Sequence, residues 1–150
     1  MAEPHSDPAA ARTLTLAGDL RAVLGTVIRR LREHSNPGDL SWSQKSVLSR
    51  LEREGPTTVS ALARAEGVRP QSMGATVAVL EAAGWLSGAP DPKDGRQTVL
   101  SLTPACVEMI QAGRAAREDW LFRSIRANLT AKEQDELAAA VALFKRLVDP

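Results

Sequence analysis

Few side chains in this 150-residue sequence are of a type that does covalent or metal chemistry. His5, His34 and Cys106 are scattered along the chain, and none stands in metal-ligand spacing. A zinc site would need nearly all of them plus a carboxylate. The sequence has no tyrosine, no G-x-S-x-G elbow, no Walker loop and no G-x-G-x-x-G turn. No catalytic residue, metal or cofactor is therefore expected, and the residues point to binding rather than to an enzyme. Two groups could do that binding. Gln71, Ser72 and Thr76 are uncharged hydrogen-bonding residues on one short segment, with Arg69 at its entrance. Such groups exchange hydrogen bonds with base edges, Gln71 most specifically with adenine. Lys93, Asp94 and Arg96 form a charged cluster further on, where cations suit phosphate or a narrow groove of negative potential.

Composition neither demands nor excludes nucleic acid. Nineteen Lys and Arg against eighteen Asp and Glu leave a formal charge of +1, so the distribution of charge decides. With 43% hydrophobic and 25% charged residues, the balance is that of a soluble globular chain, and the length is that of one domain. No apolar run approaches the roughly 18–20 residues that span a bilayer, so no membrane partner is expected. Residues 1–11 lack the apolar stretch of a signal peptide. The single cysteine rules out an internal disulfide and fits a reducing cytoplasm, the expected location.

Elements must position these groups. Residues 1–12, rich in Ala, Pro and charge, read as a mobile tail before a single domain over 13–150. Leu16, Leu20, Val23, Leu24, Val27, Ile28 and Leu31 repeat at helical spacing, with Arg21, Arg29, Arg30 and Arg32 opposite, until Asn36-Pro37-Gly38 breaks the chain. Ser41 with Gln44 forms a capping box for a second helix burying Val47, Leu48 and Leu51, which Gly55-Pro56 ends. A short helix from about Thr58 to Glu66 closes on Gly67, and Pro70 opens the next, with Met73, Val77 and Leu80 as core and Gly84 as its stop. Two helices joined so tightly make a helix-turn-helix candidate. The turn cluster Pro90 to Gly95 separates Trp85-Leu86 from Thr98–Leu102, the one convincing strand, so a hairpin is expected. Thr103-Pro104 caps a fifth helix carrying Val107, Ile110, Leu121 and Ile125, less clearly amphipathic between Gly113 and Arg117. Thr130 with Glu133 opens a last helix through Leu137, Val141, Phe144 and Leu147.

The fold expected is mainly α with a small β-hairpin: a winged helix-turn-helix with long N- and C-terminal helices. A helix of this kind fits the major groove, where each base pair shows a distinct pattern, and a hairpin beside it can place a cation in the minor groove. Taken alone, Gln71, Ser72 and Thr76 also read as an ordinary solvated face, and Pro90 to Gly95 as a polar turn. The order and spacing of the elements favour the first reading.

Gly67 through Thr103 resembles the DNA-binding lobe of MarR-type regulators. Asp94-Gly95-Arg96 followed by Leu102-Thr103 matches the family's D-x-R-x-x-x-x-x-L-T signature. Leu62-Ala63, Leu80-Glu81, Gly84 and Asp91-Pro92 are also similar, and the likeness extends over nearly the whole chain. The resemblance implies a DNA-binding lobe at about 40–103 and dimerisation helices at about 13–35 and 104–149. It implies a homodimeric transcription regulator, a repressor relieved by a small-molecule effector. Two recognition helices would meet successive major grooves roughly 34–36 Å apart on a near-palindromic double-stranded operator. Arg96 would be the wing-tip arginine of the minor groove, its guanidinium held by Asp94. Effectors in such proteins usually lie in a cleft between the lobe and the dimerisation helices, for which Trp42 and Trp120 are the candidates.

The chain departs from many relatives in having Ala75 and Val79 where arginine is common, and Gly74 inside the recognition helix. A glycine there costs about 1 kcal/mol against alanine, which suggests close backbone approach to DNA or to a packed neighbour. Affinity then leans on Arg69, Lys93, Arg96 and helix N-termini. Cys106, in the first turn of the fifth helix, is open to thiol activation by the helix dipole, against the commoner fate of a buried inert cysteine. His34 is read as a surface residue. The neutral recognition helix keeps one alternative open: a helical protein-interaction module that retains this fold without binding DNA.

Overall fold

A computed structural model describes residues 7–35 and 40–149. The expected break at Asn36-Pro37-Gly38 and the first half of the expected tail lie outside the described residues. Those described fall into two compact units, 7–35 with 115–149, and 40–114.

The winged lobe, 40–114, contains α2 (Trp42–Glu54), β1 (Thr57–Thr58), α3 (Val59–Glu66), α4 (Pro70–Ala82), β2 (Leu86–Pro90), β3 (Thr98–Leu102) and the start of α5 (Pro104–Asn128). α2 starts because Ser41 accepts from the Gln44 amide while the Gln44 side chain accepts from the Ser41 amide, the expected capping box. Its buried residues are Val47, Leu48 and Leu51, and Gly55 ends it at φ 84°. α3 buries Leu62 and Ala63, and α4 buries Met73, Val77 and Leu80. Leu86 and Leu100 complete this core from the sheet, and Cys106 from α5. All eleven buried apolar residues among those described belong to this lobe, whose contacts define one continuous core.

The sheet has three strands in the order β1-β3-β2, antiparallel throughout. The hairpin was expected, but β1 was not: two threonines pair with Leu100 and Val99 before capping α3. A two-residue strand carries no period, so only its partner reveals it. Gly88 faces Leu100 across the hairpin, where an added Cβ would stand 2.7 Å from the Thr98 methyl carbon.

The second unit contains α1 (Pro8–His34), the rest of α5, and α6 (Ala131–Val148). α1 begins five residues earlier than the expected end of the tail at residue 12 implies. Asp7 accepts from the Ala9 amide and Pro8 occupies the first turn, so the local chemistry starts a helix there. Thr130 and Glu133 make the second capping box as expected. The expected lobe boundary at Thr103 also moves. The division falls within α5 after Arg114, because Cys106, Met109 and Ile110 pack on the lobe's core and Arg114 donates to Glu52 at 2.8 Å. No helix among the described residues is long and apolar enough to cross a membrane.

Candidate nucleic-acid interface

Local chain chemistry fixes the turn between α3 and α4. Gly67 adopts the left-handed conformation, φ 65° and ψ 30°, which only glycine enters without a steric cost. The Val68 amide then donates back to the Ala63 carbonyl at 3.0 Å, a Schellman closure, and Arg69 and Pro70 start α4. The same device ends α4: Gly84 has φ 79°, and the Trp85 amide reaches the Leu80 carbonyl at 2.9 Å. Thr103 ties that end to the wing. Its hydroxyl donates to the Gly84 carbonyl at 2.6 Å and accepts from the Cys106 amide at 3.1 Å, and its own amide bonds the Trp85 carbonyl. The threonine of the L-T pair thus caps α5 and fastens the recognition helix to β3 at once.

A side-chain network holds α3 against α2. Glu66, the last residue of α3, accepts from Ser46 at 2.5 Å and from the Arg50 Nε at 2.6 Å, and Arg50 also bonds Glu54 at 2.8 Å. These hydrogen bonds, from Ser46 first and then Arg50, hold the Glu66 carboxyl below its ordinary range. Glu66 immediately precedes the Gly67 turn, so the network fixes the end of the segment that aims α4. Sequence reading missed it, since its partners stand 16 and 20 residues apart with no motif to join them.

The residues expected to meet DNA are arranged unequally. Gln71 is exposed near the start of α4, and Arg69, the N-cap residue, makes no side-chain capping bond. Ser72 and Thr76 lie on the flank of α4 toward α2, where with Trp42, Ser46 and Val68 they border a concavity of about 270 Å³. Thr76 is half-buried and its hydroxyl donates to the Ser72 carbonyl at 3.2 Å, so its proton is already engaged. At the wing tip, Asp91 accepts from the Lys93 amide at 2.8 Å and Asp94 from the Arg96 amide at 3.1 Å. The expectation for Asp94 is corrected in this respect: it fixes the backbone under Arg96, whose guanidinium it does not pair. A short carboxylate two residues before an amide closes an Asx turn more readily than it reaches a long side chain. Lys93 and Arg96 are exposed and, among the described residues, enter no ion pair.

The remaining candidates resolve individually. Cys106 is fully buried, and its thiol is pushed up, by burial first and then by the Glu52 charge. Of the two readings offered for it, the structure favours the buried cysteine, because desolvation disfavours the thiolate that a helix dipole would promote. Trp42 is 75% exposed at the first position of α2. Trp120 belongs to the other unit, half-buried, with its ring stacked on exposed His34 at 5.4 Å. A Cβ added at Gly74 would meet no neighbouring atom within 4 Å, which removes a packed neighbour within the lobe as the reason for the glycine.

A two-helix turn followed by a hairpin in one antiparallel sheet defines a winged helix-turn-helix. The comparisons with known proteins agree. Residues 38–97 match the family model described as MarR family. An uncharacterised HTH-type transcriptional regulator of Mycobacterium bovis is 40% identical over 134 residues, 89% of this chain and 93% of its own. A crystal structure of a transcriptional regulator candidate from Pseudomonas aeruginosa PA01 is 34% identical with a TM-score of 0.78, covering 93% of this chain and 98% of that one. A mutant of MepR from S. aureus, bound to an oligodeoxyribonucleotide, shares the fold at 15% identity and a TM-score of 0.71, covering 89% and 97%. The chain belongs to the MarR family of helix-turn-helix transcriptional regulators.

Proposed function

We propose that this protein is a homodimeric repressor that binds a near-palindromic double-stranded operator and is released from it by a small molecule. The observation that carries the DNA-binding part is the wing. Two aspartates are engaged by its backbone, leaving Lys93 and Arg96 exposed beside a recognition helix fastened to the same strand by Thr103. Arg96 is the minor-groove group and Lys93 a phosphate contact. Arg69, Gln71 and Ser72 serve the major groove, with the remaining lone pairs of Thr76 beside them. The dimer is supported by the apolar residues that the unit of α1 and α6 leaves exposed, Leu16, Val23, Leu143 and Leu147 among them. Trp42 and Trp120 are the side chains we assign to effector recognition. An effector that prefers a dimer with wrongly spaced recognition helices lowers operator affinity by the same factor that the operator lowers its own.

Selection from random duplexes at physiological salt tests the reading. An enriched inverted repeat is expected, and Arg96→Ala should weaken binding to it by about 1–3 kcal/mol with the fold intact. Weak binding at low salt with no enriched motif would instead favour the protein-interaction module.

A further inference from the structure

The outward face of α4 carries a chemistry that hydrogen-bond readout does not use. Met73, Val77 and Leu80 face the core, and Ser72 and Thr76 lie on the flank toward α2. Away from the core, Ala75 and Ala78 stand at helical spacing from Gln71, and Val79 continues the row of Ser72 and Thr76 by one more turn; all three are exposed. Val79 is 55% exposed. A surface helix ordinarily turns charged or polar residues outward. Between Ser72 and Leu80 this one turns alanine and valine outward instead, with no charged residue between Pro70 and Leu80.

The major groove offers such a face one kind of partner. Guanine, cytosine and adenine edges present only donors and acceptors there, and thymine adds its C5 methyl, the sole apolar group of the four patterns. Methyl side chains laid against polar edges would strip water from them and return no hydrogen bond. Laid against thymine methyls, they bury apolar surface on both sides. Gln71 points the same way, because the adenine it suits is paired with thymine.

We propose that Val79, with Ala75 and Ala78, reads thymine C5 methyl groups in the major groove, making Val79 a specificity-determining residue for thymine under the C-terminal half of α4. This rests on the DNA-binding reading above and adds to it the class of base recognised.

The test uses the full-length protein and its selected duplex, with each thymine replaced singly by deoxyuridine. That change deletes the methyl and leaves base pairing and every hydrogen-bonding edge in place. At one or two positions in each half-site affinity should fall about fourfold per methyl removed. Val79→Ala, which removes both methyls of an exposed side chain, should lose most of that thymine preference at one position while the fold stays intact. Val79→Thr, nearly the same shape with a hydroxyl for one methyl, should lose a smaller part of it and keep its melting temperature. Equal affinity for thymine and deoxyuridine at every position, or half-sites with only G·C pairs under α4, would overturn the proposal while DNA binding stood. Failure to enrich any duplex would overturn both.

Discussion

The lobe of residues 40–114 and the unit formed by 7–35 with 115–149 are built on opposite principles. The lobe closes its own core: Leu62, Leu80, Leu100, Val47 and Cys106 are each less than 2% exposed. In the other unit the one buried residue among those described is polar, Ser35, whose hydroxyl accepts from Arg117 at 3.3 Å. Its apolar positions reach only half-burial at Leu20, Val27 and Leu31 of α1 and at Leu137 and Phe144 of α6. Leu147 and Val148 are 67% and 75% exposed. Long helices with incompletely covered apolar faces gain most of their stability from packing rather than from propensity. The lobe therefore closes its core within one chain, whereas the other unit leaves its apolar positions partly open among the described residues. Under the dimer proposal, the stability of the first is set by composition and that of the second by concentration.

The largest expected effects follow from that difference. Leu80→Ala removes a fully buried side chain and should cost about 2–5 kcal/mol in urea unfolding, by the same amount at any protein concentration. Leu147→Asp leaves the lobe's core untouched and should act through association instead. Wild type is expected to sediment near twice 16.1 kDa at micromolar concentration, and Leu147→Asp to shift toward the single chain. A wild-type monomer in that experiment would break the comparison, because the apolar faces of α1 and α6 would then be stable in water.

Acid should separate the units more gently. Glu66 ties α3 to α2, whereas Glu133 bonds only Thr130 at the start of its own helix, and both carboxyls are lowered by those bonds. A depressed folded pKa means the contribution is complete above the ordinary carboxylate value, about 4.3, and is lost as pH falls through the folded one. The loss at Glu66 should be on the order of 1 kcal/mol, given that the network is only partly buried. Glu66→Gln should flatten the acid limb of the lobe's stability profile. An unchanged profile in that variant would remove Glu66 from the account of how α4 is aimed.

What was legible in the sequence was local. Both capping boxes, the Gly67 turn, the proline openings of α4 and α5, and the core positions Met73, Val77 and Leu80 rest on interactions within a few residues, which spacing displays. The hairpin and the D-x-R pattern were legible for the same reason. The finer role of Asp94 was not, because choosing between amide and guanidinium depends on turn geometry rather than residue type. The Ser46–Glu66–Arg50 network and β1 depend on pairings across the fold, which no window of sequence contains. The start of α1 was misread because Pro8 and the alanines look like tail composition, although Asp7 supplied the cap.

The smallest expected effects come from three glycines inside helices, and they set the two units against each other once more. Gly18 and Gly25 of α1 and Gly74 of α4 each leave open space where a Cβ would stand. Alanine at each should stabilise the free protein by roughly 0.5–1 kcal/mol, since it lowers the entropy lost on folding and meets no neighbour. Gly18 and Gly25 share the side of α1 that carries Arg21 and Arg29, a face fit for water, so nothing opposes that gain. Gly74 follows Gln71 by one turn of the recognition helix, so under the DNA-binding proposal a groove that meets Gln71 would also approach the backbone there. Gly74→Ala should therefore raise the melting temperature and weaken operator binding together, while Gly25→Ala raises the first and leaves the second alone. Operator affinity unchanged in Gly74→Ala would show that close approach to DNA is not what keeps a glycine there.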